Sequence, residues 1–389
     1  MIEDLVIVGN VADNAFVDDI SHHMRQIENY SDLISLKSFL NREFCPRFII
    51  DEENWQNIGR KLENKTVLIV STSSLEYSRE ELAMRNFLIA RAAKDNGSKR
   101  VILLEPDLYY SAQDRGPRKK HSFGNTERNP EDFKKFDGQP FSSLMYSQLL
   151  QLSGVDEVLT IHNHSESVKN LFRETFGQRF HNLQPSDIYA DYLENGDVVN
   201  PDNMVLCAPD KGARNFAKEV HGLLKRQDTG ILTMDKIRTG EREVEISVEK
   251  SSQLDLSDIK GKDVVVVDDM VRTGKTIIEC CRVLRDAQPN KIIFLVTHFY
   301  SSREGRSNLN DCSIDEIVTS TTIPNILNRD IQGRLRRKMV VLRISRWISN
   351  YLVSILDEDS KPLELPLYHE DMSSKNPRWL KKFGRDYHI

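Results

Sequence analysis

Eight short runs of β-branched and aliphatic residues, separated by helical stretches, constrain this chain more than any other feature. They are Leu5 to Val8, Thr66 to Val70, Arg100 to Leu104, Glu157 to Ile161, Met204 to Cys207, Val264 to Val267, Lys291 to Val296 and Met339 to Leu342. Runs that are apolar on both faces read as buried parallel strands. The stretches between them are amphipathic: Ala83, Phe87 and Ala90 share one helical face, as do Ala213, Ala217, Val220 and Leu224, and also Ile277, Cys281 and Leu284. Ser78 followed by Glu81 has the capping-box spacing of a helix start, and Gly97 is a stop. Repeated βαβ units predict an α/β fold with mainly parallel sheets flanked by helices.

A chain of 389 residues is long for one core, so two domains are expected. A shift in composition from Gln184 to Pro201, with two prolines, Gly196 and several acids, divides the chain into residues 1–184 and 185–342, with 343–389 as a helix and polar tail. The polar segment from Gly116 to Pro140 reads as a long loop, and its Pro117-Arg118-Lys119-Lys120-His121 run as a solvated charge cluster. Charged residues are 29% of the chain and nearly balanced, so the net charge of −5 makes no electrostatic case for nucleic acid or an anionic membrane. No apolar stretch approaches the roughly 20 residues that span a bilayer. The acidic start followed by a short apolar run reads as a first strand, not a secretory leader. The five cysteines have no CxxC or zinc spacing, which points to a reducing cytoplasm. A small phosphorylated substrate remains open.

The sharpest local signal is Val264-Val-Val-Val-Asp268-Asp269-Met-Val-Arg272-Thr273-Gly274-Lys275-Thr276. It reads as a buried strand ending in two acids, then a small-residue loop that opens a helix. N–H groups at a helix start and its positive dipole end suit a phosphomonoester, and strand ends face the crevice where open α/β sheets bind ligands. Asp268 and Asp269 repel that anion, so they suit neighbouring sugar hydroxyls, which donate to carboxylates. A P-loop is excluded because Asp269 stands where its first glycine belongs, and the turn holds no GxGxxG.

This run resembles the PRPP-binding loop of type I phosphoribosyltransferase folds, shared by salvage phosphoribosyltransferases and ribose-phosphate pyrophosphokinases. Further segments favour the pyrophosphokinases. Cys207-Ala-Pro-Asp210-Lys211-Gly212-Ala213-Arg214 resembles their pyrophosphate loop, of the archaeal type in particular, and Asp235-Lys236-Ile-Arg238 with Glu243-Val244-Glu245-Ile246 resembles their catalytic loop. Thr297-His298-Phe299 and Thr321-Thr322-Ile323-Pro324 match in order and spacing. Tyr110-Ser-Ala112-Gln113-Asp114-Arg115 is similar to their nucleotide segment, and Leu159-Thr-Ile-His162-Asn-His164 to the strand end whose histidine binds magnesium.

The resemblance implies two tandem phosphoribosyltransferase-like domains, with a helix near Ile344 to Ile355 packing back on the first. It implies diphosphate transfer from ATP to the C1 hydroxyl of ribose 5-phosphate, giving PRPP and AMP, in a cytoplasmic homo-oligomer. Lys236 and Arg238 are then catalytic, and Mg²⁺ is held by His164 and Asp210. Asp268, Asp269, Arg272, Thr273, Gly274, Lys275 and Thr276 bind ribose 5-phosphate, while Gln113, Asp114, Arg115, Phe48, Asp51 and Glu53 bind ATP. Plainer readings stay open: His164 as a structural histidine, Asp210 as a helix cap, and Lys236 and Arg238 as surface charges on one face of a hairpin. Ala112 stands where the family has an arginine, and Arg47 to Glu53 matches its adenine-contacting segment loosely, with one extra residue. A pyrophosphokinase for a larger ribose-5-phosphate-bearing acceptor, a silent regulatory subunit and a salvage phosphoribosyltransferase are the alternatives.

Overall fold

The computed structural model describes residues 4–118, 128–226, 229–238, 244–357, 361–363 and 365–371. The chain forms two compact units: the described parts of Met1–Leu183 with Ser345–Leu365, and those of Gln184–Ile344 with the segment from Pro366 onward. In chain order the first unit begins β1 (Leu5–Gly9), α1 (Ala15–His23), β2 (Ile34–Ser38), β3 (Phe44–Phe48), β4 (Thr66–Val70) and α2 (Arg79–Asp95). It continues β5 (Arg100–Leu104), α3 (Pro130–Lys135), α4 (Ser142–Ser153), β6 (Glu157–Ile161), α5 (Glu166–Phe176) and β7 (Phe180–Leu183). The second unit contains α6 (Ser186–Asn195), β8 (Met204–Ala208), α7 (Arg214–Leu223), β9 (Ile231–Arg238), β10 (Val244–Val248), β11 (Asp263–Val271) and α8 (Lys275–Asp286). After these come β12 (Lys291–Phe299), α9 (Arg303–Leu309), β13 (Glu316–Ser320), α10 (Arg329–Gln332) and β14 (Met339–Arg343). Then α11 (Ser345–Leu356) belongs to the first unit, and β15 (His369–Asp371) to the second.

The first sheet runs β1-β4-β5-β6-β7 and is parallel throughout. The second runs β10-β9-β8-β11-β12-β13-β14-β15, with six parallel strands between two antiparallel edges. The α/β expectation therefore holds, and every one of the eight apolar runs is a strand. Beyond the partly exposed first residue of four of the runs their side chains are buried, fully so in Val264 to Val267 and Ile292 to Val296. Each such side chain stabilises the fold by about 1.5–3 kcal/mol, which explains why these strands carry no polar face. Helix α2 starts where its sequence indicates: Ser78 Oγ accepts from Glu81 N at 3.2 Å, and Glu81 Oε2 accepts from Ser78 N at 2.8 Å.

The Gly116–Pro140 segment is not one long loop. It contains α3, capped by Asn129, whose Oδ1 accepts from Asp132 N at 2.8 Å. Arg128 is drawn inward, since it pairs with Asp132 at 2.5 Å and lies 4.2 Å from the Phe133 ring centroid. Lys119, Lys120 and His121 of the basic cluster lie outside the described residues. The polar tail is also tied down at its start. Tyr368 Oη donates to Asp191 Oδ2 at 2.8 Å, Tyr192 Oη donates to Glu370 Oε1 at 3.0 Å, and β15 pairs with β14.

Within the first unit, α11 packs against α1 and buries Trp347, Ile348 and Leu352. A polar chain fixes it to the sheet. Arg100 donates to both oxygens of Glu157 at 2.6 and 2.5 Å and to Ile355 O at 3.4 Å. His181 Nε2 lies 3.4 Å from Glu157, and Tyr351 Oη 2.9 Å from His181 Nδ1. Burial opposes the charge on Glu157, but the hydrogen bonds from His181 and Arg100 outweigh it and hold the carboxyl below its usual range. Glu157→Gln is expected to destabilise the chain by about 2 kcal/mol at pH 7, because Arg100 loses its anion while part of it stays solvated. A folded pKa below the unfolded one makes this contribution complete above the ordinary carboxylate range and absent below the folded value. Urea midpoints of the two proteins should therefore converge in acid; a gap of constant size would refute the assignment.

Candidate functional site

Three neighbouring strands of the second unit deliver the candidate chemistry to one end of its sheet. Strand β8 lies between β9 and β11, and all three are parallel there, with Cys207 level with Leu232 on one side and Val266 on the other. Beyond that level come Asp210 after β8, Lys236 and Arg238 in β9, and Asp268 and Asp269 in β11. Lys236 and Arg238 are two residues apart in β9. They pair in register with Ile246 and Val244 of β10. Residues 239–243, including Glu243, lie outside the described residues. Lys211 Nζ donates to Asp235 Oδ2 at 2.9 Å, which ties the loop after β8 to β9 just before the two cations.

The two acids do not end their strand. Strand β11 continues to Val271, because β12 also runs on and offers ladder partners: Asp268 faces Val296, Met270 faces His298, and Val271 faces Phe299. Asp268 Oδ1 accepts from Asp269 N at 2.9 Å. Its side chain keeps some exposed surface, yet the protein packed round the carboxyl, together with the charges of Asp269 and Asp210, pushes its pKa well above the carboxylate range. Asp210 closes its own loop, Oδ1 accepting from Gly212 N at 2.8 Å and Ala213 N at 3.2 Å. The following helix begins at Arg214 and not near Lys211, so Asp210 caps a turn that precedes it.

The 272–274 loop is shaped from behind by α9. Gly274 precedes α8 in the left-handed region at φ 74°, and no side chain caps that helix. A Cβ at Gly274 would meet Leu309 at 2.9 Å, and one at Gly305 would meet the Arg272 carbonyl oxygen at 2.6 Å. Ser302 Oγ donates to Arg272 O at 2.8 Å, and Asn308 Nδ2 to Thr273 O at 2.8 Å. Lys275 is paired with Glu304 at 2.9 Å, whose carboxylate raises the Lys275 pKa. The Arg272 guanidinium lies 5.9 Å from the Tyr300 ring centroid.

The remaining candidates belong to the first unit. Ser143 Oγ donates to Gln113 O at 2.8 Å, Ser165 Oγ to Asp114 Oδ2 at 2.6 Å, and Ser167 Oγ to Asp114 O at 3.0 Å. Arg115 pairs with Asp132 at 2.9 Å and lies 4.9 Å from the Phe136 ring centroid. His164 is exposed after β6, while His162 is buried with φ 44°. Phe48 is a core side chain at the end of β3, so its ring is spent on packing. Asp51, at φ 51°, accepts from the side-chain amides of Asn54 and Asn57 at 2.9 Å each, whereas Glu53 is exposed. His164 and Asp210 thus lie in different units.

Residues 186–327 match the phosphoribosyl transferase domain family. The chain is 25% identical over 300 residues to ribose-phosphate pyrophosphokinase 2 of Saccharomyces cerevisiae, spanning 77% of this chain and 84% of that one. It is 26% identical over 289 residues to the ribose-phosphate pyrophosphokinase of Helicobacter hepaticus, spanning 73% and 80%. Over about three quarters of its length the chain is thus similar to ribose-phosphate pyrophosphokinases. Its fold matches the crystal structure of phosphoribosylpyrophosphate synthetase from Mycobacterium smegmatis with a TM-score of 0.69 at 20% identity, covering 91% of this chain and 99% of that one.

The buttress formed by Ser302, Gly305 and Asn308 is the part of the site that sequence reasoning missed. Its one visible signal was a glycine inside a short helix, which costs stability unless something must pass close by. Gly305→Ala is expected to displace the 272–274 loop and, on the reading that this loop receives ribose 5-phosphate, to weaken its binding by about tenfold or more, since small misplacements of a ligand cradle are costly. Asn308→Ala should act in the same direction but less. Calorimetric titration checks both; an unchanged affinity in Gly305→Ala would mean that α9 does not set the loop.

Proposed function

We propose that this chain transfers the β,γ-diphosphate of ATP to the C1 hydroxyl of ribose 5-phosphate, forming PRPP and releasing AMP. The observation that supports this reading is the adjacency of β9, β8 and β11 in one parallel ladder, with Lys236 and Arg238 in the sequence of β9, Asp210 following β8, and Asp268 and Asp269 within β11. A salvage phosphoribosyltransferase needs the acids and the phosphate loop but has no comparable use for a strand bearing Lys236 and Arg238.

In this proposal the start of α8, with Thr273, Gly274, Lys275 and Thr276, receives the 5-phosphate, and Arg272 adds charge beside it. Glu304 is then a competitor that the phosphate must displace from Lys275. Asp268 and Asp269 accept hydrogen bonds from the ribose hydroxyls and so aim C1. The C1 oxygen attacks the β-phosphorus, the bond from that phosphorus to the α,β-bridging oxygen breaks, and the hydroxyl proton is released. Lys236 and Arg238 neutralise the diphosphate oxygens, so alignment and charge compensation supply most of the rate. On the nucleotide side we assign Gln113, Asp114 and Arg115 together with Asp51 and Glu53; Phe48 contributes by holding that segment's base.

Mg²⁺ fits the acids of the second unit. Asp210 is a hard oxygen donor, and a cation beside it would relieve its repulsion of Asp268 and Asp269. Among the described residues no group of three or more His, Cys, Asp or Glu is placed to hold a metal ion by itself. The ion would take its other ligands from phosphate oxygens and water, as Mg²⁺ commonly does, with His164 the candidate ligand from the first unit. When bound it would supply charge neutralisation on the diphosphate.

A homo-oligomer and a cytoplasmic setting are part of this proposal. None of the five cysteines is in a disulfide, and no described helix is long and apolar enough to cross a membrane.

The direct test is incubation with Mg²⁺, ATP and ribose 5-phosphate: AMP and PRPP should form in equal amounts, and AMP formation without PRPP would sink the reading. Lys236→Ala and Arg238→Ala are each expected to lower kcat by about a hundredfold or more with ribose 5-phosphate binding nearly intact. Asp268→Asn and Asp269→Asn should instead weaken ribose 5-phosphate by about tenfold or more and ATP less. Equal losses for both substrates would contradict the assignment of these acids to the sugar.

A further inference from the structure

At the end of β5 in the first unit, the fully buried carboxylate of Glu105 collects donors from three other segments. Oε1 accepts from Tyr109 N at 2.7 Å and Tyr146 Oη at 3.1 Å. Oε2 accepts from Tyr146 Oη at 2.8 Å, Ser71 Oγ at 3.0 Å and Asn86 Nδ2 at 3.0 Å. Tyr109 is itself fixed, its Oη donating to Thr72 O at 3.0 Å. The Arg79 guanidinium, paired with Asp107, lies 5.1 Å from the Tyr109 ring centroid. The chain then turns through Tyr110, held at φ 60°, and Gln113 N donates to Tyr110 O at 2.9 Å.

The loop that carries Gln113, Asp114 and Arg115 is thus anchored at two ends. Serines 143, 165 and 167 hold Gln113 and Asp114, and Glu105 holds Tyr109. Between these anchors the non-glycine residue Tyr110 occupies a conformation that persists only when its surroundings impose it. The buried carboxylate is far more demanding than a core side chain would be, since an unpaired charge there is costly. Packing alone gives no reason for it.

We propose that Glu105 is a positioning residue for the nucleotide, its carboxylate setting the Tyr109–Tyr110 turn so that Gln113, Asp114 and Arg115 meet the ATP donor. This rests on the assignment of those three residues to the nucleotide side. Burial pushes the Glu105 carboxyl up to about 7, against the opposing pull of the Tyr109 N–H, Tyr146, Ser71 and Arg79. The titratable groups that face it are Arg79 from α2, Asp107, Tyr109 and Tyr110 from its own loop, and Tyr146 from α4. Burial raises all three tyrosines, so they keep their protons near neutrality. Protonation of Glu105 therefore removes one acceptor from the cluster and loosens the turn as pH falls below about 7.

Steady-state kinetics of the full chain between pH 6 and 8.5 test this. The wild-type KM for ATP should rise about fivefold or more toward pH 6, the loss of one charged acceptor, while kcat and the KM for ribose 5-phosphate do not follow it. Glu105→Gln should hold the KM for ATP at the raised value and remove its inflection near neutrality. Tyr146→Phe removes a donor that favours the carboxylate, so its inflection should move to higher pH. An unchanged inflection in Glu105→Gln, or parallel changes in kcat and in the ribose 5-phosphate KM, overturns the proposal. If the wild-type chain forms no PRPP, the pyrophosphokinase reading falls, and calorimetric titration with ATP at pH 6 and 8 then judges Glu105. A pH dependence abolished by Glu105→Gln supports the role, and one that survives, or no ATP binding at either pH, refutes it.

Discussion

The parallel ladder through β9, β8, β11 and β12 is the constraint on which the rest of the second unit depends. Strand β11 is apolar on both faces from Val264 to Val267, and all four side chains are fully buried. A slip of one residue would exchange its faces and carry an acid inward, so burial specifies the register strongly. Once that register is set, the levels at which Asp210, Lys236 and Asp268 stand along the sheet are set with it. The charged residues are placed by apolar neighbours that never touch a ligand.

That placement opposes local stability. Like charges gather at Asp268, Asp269 and Asp210, and burial of Asp268 adds to the cost. The loop behind them is held in a left-handed turn at Gly274 against Leu309. Such local conflicts concentrate where function needs a fixed arrangement before the ligand arrives, and they persist because the surrounding core is large enough to absorb them. In the first unit Glu105 is the same kind of feature, a demanding group whose donors come from β4, α2 and α4.

The fold was legible because buried parallel strands announce themselves: each apolar run became a strand, and Ser78 with Glu81 became the cap of α2. What escaped notice depends on partners far away in the chain. The hairpin of β2 and β3, with Pro46 and Arg47 within it, carries no clean alternation and is recognised only by its mutual pairing. Strand β7, Phe180–Leu183, is too short and polar to stand out, and α3 was hidden inside a segment read by composition alone. In the site, Asp268 and Asp269 were visible because they adjoin an apolar run. Gly305 and Asn308 were not, because their contacts to Arg272 and Thr273 cross more than 30 residues of sequence. Glu105 looked like an ordinary acid at the end of a strand, since four of its five hydrogen bonds come from elements that only tertiary structure assembles.

The route of the chain after β14 has a consequence for synthesis. The chain leaves the second unit at Ile344, contributes α11 to the first, and returns with β15 to the edge of the second. During translation the first sheet emerges early, but the helix that covers Trp347, Ile348 and Leu352 against it is made only after nearly all of the second unit. The usual order, in which an amino-terminal domain completes itself while the next is still being made, is closed to this chain. Until residue 356 leaves the ribosome, the face of the first unit that α11 packs on stays without that helix.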